Sequence, residues 1–247
     1  MVEFLIIAPV LLFLCFGTLQ LVLLYQAKAT LDVAVLEAAR EGAVNHGSLA
    51  AMQSGLARGL APLYAHQSTA QEVQAAKDKA MIDVTDSTHI TTVSPTDAMM
   101  QDFGRLRSYP EEGAAYIEIP NDTLLYRDPN TGSRSKIGIQ DANLLKIRVH
   151  YCYDMYVPLV NKVIYYATNV IGNIGTMGIL TREPADQDRD PYGAPKNPDA
   201  LCKVTLKQGS DSGHWPIALE SEALVRMQST YRRGAMNDAQ QPYMPDQ

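Results

Sequence analysis

Hydrophobic side chains run almost unbroken over residues 4–25, where the only polar side chains before Tyr25 are Thr18 and Gln20. At a helical rise of about 1.5 Å per residue the run reaches about 33 Å, enough to cross a bilayer core of about 30 Å. Glu3 stands directly before it, and Pro9 and Gly17 lie inside it. Over residues 26–44 the chain reads QAKATLDVAVLEAAREGAV, dense in helix formers and free of proline, which predicts that the helix continues past the span. Leu31, Val35, Ala38 and Gly42 recur at helical spacing, while Lys28, Asp32, Glu37 and Glu41 fall elsewhere on the wheel. Small residues on that stripe allow close approach of another helix or a sheet. The pattern therefore predicts one rod, half in lipid and half outside.

Beyond the rod the periodicity shortens. Ser48 is a candidate N-cap for a helix through LAAMQSGLARGLA that Pro62 ends, and residues 66–80 are weakly helical. Apolar residues alternating with polar ones predict short strands at 81–84, 89–93 and 115–119. Leu145, Ile147, Val149 and Tyr151 alternate with Lys146, Arg148 and His150, a strand that leads into Cys152 and leaves His150 on the polar, exposed face. The longest alternation is at 217–227, with Ile217, Leu219, Ser221, Ala223, Val225 and Met227 on one face. The expected fold class is α+β: a long N-terminal transmembrane or spine helix (1–45, with the span at 4–25), a domain of helices on an antiparallel sheet (46–240), and a tail (241–247).

Residues 160–180 are apolar enough to suggest a second span. Asn161, Lys162, Asn169 and Asn173 interrupt it, and Gly172, Gly175 and Gly178 weaken any helix there. An amphipathic helix over 158–171, broken by the glycines, is the better reading. The glycines do not form a nucleotide loop, because GNIGTMG follows a helix rather than a strand.

Composition is ordinary for a globular domain, 46% apolar and 19% charged, with a net charge of −6 spread without long runs. No basic patch with interleaved aromatics is present, which argues against a nucleic-acid partner; Arg105 and Arg107 are scattered, and Arg232 and Arg233 read as a solvated tail. Of the three cysteines, Cys15 lies in the apolar run, leaving Cys152 and Cys202 as the one possible soluble pair. Beyond a membrane anchor they favour a disulfide that closes a loop of about 50 residues and contributes about 4 kcal/mol, with two buried free thiols as the alternative. Metal-ligand spacing is absent.

The Pro- and Asp-rich stretch at 182–200 is expected to be a surface loop. Asp186, Asp188 and Asp190 at alternate positions suggest calcium, but Pro191 stands where the turn glycine belongs and Asn197 where the bidentate Glu belongs, so a solvated loop is favoured. DPNTG at 128–132 is expected to turn. His46, His66, His89, His150 and His214 form no paired spacing, and no serine sits in a nucleophile elbow; no cofactor motif and no catalytic motif is expected.

The N-terminal residues carry a resemblance. Val2-Glu3-Phe4, the apolar run with Pro9, Gly17 and Gln20, and Ala38-Ala39-Arg40-Glu41-Gly42-Ala43 together resemble the N-terminal segment of TadE-like minor pilins of tight-adherence (Flp-type IV) pilus systems. The likeness covers about the first 45 residues, with looser echoes at YCYDMYVPLV (151–160) and ALVRMQSTYRR near the C-terminus. In the family, Gln20 is often Glu. Relatives are similar to type IV pilins in having a short basic leader ending in Gly, which a prepilin peptidase removes. No such leader is written before Glu3; a start placed downstream of the true one, a trimmed chain and an unprocessed chain all remain open.

The resemblance implies that Glu3 pairs with the N-terminal ammonium of a neighbouring subunit, whereas residue physics alone also allows a carboxylate resting at the headgroup level. It further implies a minor pilin or pseudopilin of the inner membrane, its N-terminus cytoplasmic and its domain periplasmic, which could also enter an extracellular pilus. The implied partners are other pilin or pseudopilin subunits, the pilus secretion machinery, inner-membrane lipid, and a prepilin peptidase if a leader exists. A cleaved secretory signal fits the N-terminus poorly, because there is no basic n-region, the run is too long, and no small-x-small site closes it. The rival function is a signal-anchored periplasmic protein that binds a ligand or catalyses a reaction without a recognisable motif.

Overall fold

A computed structural model describes residues 2–65, 67, 69–165, 167 and 215–234. The helix α1, Val2–Val44, is continuous, as the helix formers on either side of Tyr25 predict, and contains Pro9. It is followed by α2 (Leu49–Leu60), α3 (Ala70–Ser87), β1 (Thr88–Ser94), α4 (Asp97–Phe103), β2 (Arg105–Tyr109), β3 (Ala114–Ile119), α5 (Ile139–Ala142), β4 (Leu144–Asp154), β5 (Pro216–Arg226) and β6 (Tyr231–Gly234). The architecture is α+β with an N-terminal apolar helix. The strands form two three-stranded sheets, β1-β4-β5 and β2-β3-β6, rather than one.

The described residues of 30–149 and 220–244 form one compact unit. In it the second half of α1 buries Leu31, Ala34, Val35, Ala38, Ala39 and Ala43. One side meets β4, where a β-carbon on Gly42 would come within 3.1 Å of Leu145. Ser221 of β5 donates its hydroxyl to Asp32 at 2.6 Å. Another side meets α2 through glycine: a β-carbon on Gly55 would fall 2.9 Å from the Ala38 Cα. Ser48 stands at the N-cap of α2 with extended backbone, though its side chain makes no capping bond. Helix α1 ends through a glycine too, with Gly47 at φ +76 donating its N–H to the Gly42 carbonyl at 2.8 Å.

In the same unit, β5 alternates as predicted, with Ser221 and Ala223 buried between exposed Glu220, Glu222 and Leu224. Lys146 pairs with Glu222 at 2.6 Å, and the Arg148 Nε lies 2.6 Å from Glu222 and 3.0 Å from Glu220. Met227 donates to the Asn143 carbonyl, Lys146 meets Glu222 and Arg148 meets Glu220, a descending register, so β4 and β5 are antiparallel here.

The structure corrects several expectations. Residues 81–84 lie in α3, not in a strand; the buried positions are Ala76, Ala80, Val84 and Ser87, a helical period, while Met81 and Ile82 are exposed. Thr69 caps α3 by accepting from the Glu72 N–H. The helix α4, capped by Thr96, and the strands β2 and β6 were not foreseen. Arg232 and Arg233 form part of β6 and are not a solvated tail, because Glu118 of β3 registers opposite Arg232. In DPNTG the Asp128 side chain accepts from the Asn130 N–H at 3.0 Å, as an aspartate that turns its own backbone does.

The second unit holds the described residues of 1–29 and 150–219. Here β4 ends with both faces covered: Tyr151, Cys152 and Tyr153 are all buried, and so is His150, against the expectation of an exposed polar face. Alternation cannot predict exposure where a strand is buried on both sides. Asp154 accepts from the Trp215 N–H at 2.8 Å, and Trp215 meets Tyr165 edge-on with ring centroids 5.3 Å apart. Residues 160–165 and 167 are helical, within the amphipathic helix expected over 158–171; residues 158 and 159 form a turn instead, and 166 and 168–171 lie outside those described.

Candidate assembly site

Two unlike halves of α1 define the candidate site. Large apolar side chains on the first half of α1 point outward: Phe4, Ile7, Val10, Leu11, Leu12 and Leu14 are each more than half exposed. An uninterrupted apolar cylinder of this size has no stable place in water, and its length and composition suit a single membrane span. Glu3 lies in the first turn of this helix. Thr18 returns its hydroxyl to the Cys15 carbonyl at 2.8 Å, a local bond that lets a hydroxyl reside on an apolar helix. Cys15 is an exposed free thiol on the same cylinder.

Gln20 breaks the pattern. It is 0% exposed, the most buried of the described side chains in the apolar run, and its Oε1 accepts the Val157 N–H at 3.0 Å. Its Nε2 has no hydrogen-bond partner among the described residues. The amide thus satisfies a backbone donor in the turn after β4. The sequence marked Gln20 as a departure within the run; its partner 137 residues away was not legible.

Of the expected disulfide pair, Cys152 lies buried near the end of β4, while Cys202 lies outside the described residues. The Asp186, Asp188 and Asp190 loop also lies outside them, as do His66 and His214. Among the described residues no group of three or more His, Cys, Asp or Glu side chains could hold a metal ion. His46 binds the Thr230 carbonyl through Nδ1 at 2.9 Å, and burial pushes the His89 imidazole below its ordinary value.

In the first unit, sequence reasoning missed a charged cluster on the β2-β3-β6 sheet. The Glu118 side chain is only 3% exposed and receives the Tyr109 hydroxyl at 2.6 Å, the Thr230 hydroxyl at 3.1 Å and the Arg107 Nη1 at 3.3 Å. The Arg232 Nε lies 3.7 Å away, and its guanidinium stacks 4.1 Å above the Tyr109 ring and 5.2 Å from that of Tyr116. Burial alone would raise the Glu118 carboxyl, but these donors together hold it below the ordinary carboxylate value. A signal did exist in the alternating arginines of RLRSY and the lone glutamate of AAYIEI, but only pairing with YRRG brings the set together. Arg107, Tyr109 and Thr230 donate to Glu118, while Arg232 donates through Nη1 to Glu112 and stacks on the tyrosine rings, so the cluster reads as a clasp between strands.

Comparison with known proteins bears on the helix alone. A family model described as TadE-like protein matches residues 1–40, so the N-terminal helix is TadE-like over the exposed apolar half and most of the small-residue half. No curated protein and no solved structure matches the chain.

Proposed function

We propose that this chain is a membrane-anchored minor pilin or pseudopilin that serves the assembly or initiation of a tight-adherence (Flp-type) pilus. The observation that carries the reading is the single 43-residue helix α1, TadE-like over residues 1–40, with an exposed apolar half and a buried small-residue half. A subunit of this build can be held in the membrane by one end and can present a folded domain on the other. Residues 4–25 anchor it in the inner membrane with the N-terminus cytoplasmic, residues 46–240 form the periplasmic domain, and 241–247 form a tail. Its role is structural, and its partners are other pilin subunits and the secretion machinery.

Glu3 is the assembly handle in this reading. An ionised carboxylate at the edge of an apolar run is costly unless paired, and the ammonium of a neighbouring subunit supplies the charge it lacks. Deleting the gene is expected to abolish surface filaments, and Glu3→Ala is expected to leave the chain in the membrane while ending its co-purification with other pilins. Normal filaments in the deletion strain would overturn the pilus role. Unchanged piliation and co-purification in Glu3→Ala would overturn the handle alone.

A further inference from the structure

The hydrogen bond between Gln20 and Val157 fixes the depth of a second apolar surface. Counting from Phe4, Gln20 lies about 24 Å along a helix that rises about 1.5 Å per residue, which is about 6 Å short of the far edge of a bilayer core of about 30 Å. Val157 donates to Gln20 at 3.0 Å, so the turn carrying it lies at that same depth. Its neighbours are apolar and face outward: Tyr156 is 68% exposed, Leu159 64% and Val163 52%. Leu159 also holds φ +69, a left-handed conformation that leucine adopts only at a cost and that glycine would adopt freely. The leucine directs an apolar side chain outward there.

The surroundings have the chemistry of a membrane interface. Tyr153 meets Tyr156 edge-on at 6.0 Å, Tyr165 meets Trp215, and the Lys162 ammonium lies 5.5 Å from the Trp215 ring centre. Tyrosine and tryptophan collect at headgroup level, and a lysine there can extend its ammonium toward anionic headgroups. The other side of the helical stretch, at Val160, Asn161 and Tyr165, is buried in protein. One face packs and the other lies open beside the span, as in a segment that rests in the interface with its apolar side about 5–10 Å deep.

We propose that the turn after β4 and the helical residues 160–165 form a lipid-embedded collar around the exit of α1, with Tyr156, Leu159 and Val163 inserted at the headgroup–acyl boundary. The collar rests on the reading of residues 4–25 as a retained span, and the two can fail separately. The test uses the full chain in phosphatidylglycerol–phosphatidylethanolamine vesicles whose acyl chains are brominated near the headgroup, with the emission of the parent protein, which contains Trp215, subtracted. Tyr156→Trp is expected to lose its added emission to the bromolipid and to resist aqueous iodide; Val163→Trp provides the same readout should Tyr156→Trp not fold. Phe13→Trp, in vesicles brominated deep in the chains, reports on the span itself.

Quenching of Phe13→Trp without quenching of the collar positions would overturn the collar and leave the anchor standing. Collar tryptophans reached by iodide would mean a face in water. Tryptophans shielded from both quenchers would mean a face covered by protein, such as a second copy. Either result overturns the proposal, and loss of quenching at Phe13→Trp would overturn the anchored reading together with the collar.

Discussion

Gly59 approaches Ala34 so closely that a β-carbon added to it would stand 2.4 Å from the Ala34 Cα and 2.6 Å from its Cβ. Backbone on both sides leaves nothing flexible to move aside. Alanine is a better helix former than glycine by about 0.8–1.0 kcal/mol, so propensity alone predicts that Gly59→Ala stabilises α2. The packing predicts the opposite. Gly59→Ala should lower the unfolding midpoint, with an overpacking cost of about 1–3 kcal/mol exceeding the propensity gain, and Gly59→Leu should lower it further. Thermal unfolding of the two variants in detergent micelles measures the order.

Gln20 offers a second test inside the apolar run. Gln20→Leu suits a membrane span better by hydropathy but removes the acceptor of the Val157 N–H, whose burial without a partner costs about 1–3 kcal/mol. The variant should insert normally yet unfold at lower temperature. Gln20→Glu, which retains acceptor oxygens, should lose less. Membrane fractionation together with unfolding midpoints separates insertion from packing.

Acid should act in two stages. His89 is held below its ordinary value of 6.5 by burial, so the unfolded chain binds a proton more readily than the folded one as pH falls through that value. Stability is therefore complete above about 6.5 and declines below it. Glu118 is likewise depressed below its ordinary 4.5, so its contribution is present above that value and is lost as pH falls through the lower, folded one. Unfolding midpoints across pH should show both declines. His89→Phe should flatten the first, and Glu118→Gln should flatten the second while lowering stability at neutral pH.

The proposed disulfide between Cys152 and Cys202 is read by mass. Protein prepared without reductant should gain two hydrogens on reduction, with Cys15 alone alkylated beforehand. Cys152→Ala should cost about 4 kcal/mol if the loop of about 50 residues is closed. Alkylation of Cys152 and Cys202 without reduction would show free thiols instead.

Much of this chain is legible before any coordinates. The rod, the apolar stripe at Leu31, Val35, Ala38 and Gly42, and the existence of strands β3, β4 and β5 all follow from local period, although the burial of both faces at the end of β4 does not. Short windows failed where two periods fit equally. Met81, Ile82 and Val84 look like a strand fragment, yet Ala76 and Ala80 place Val84 on a helical face. Arg232 and Arg233 looked like a polar terminus because their partners Glu112, Glu118 and Asp97 are more than 100 residues away.

What the sequence by itself determined is the long apolar helix and its extension: continuous hydrophobicity and helix propensity are local properties. Tertiary structure alone decided that Gln20 is enclosed by the turn at Val157, that Gly59 rather than a larger residue meets Ala34, and that Glu118 gathers Arg107, Tyr109, Thr230 and Arg232. Each of these depends on segments far apart in the chain. Their free energy comes from desolvated polar bonds and close packing that exist only once those segments have met.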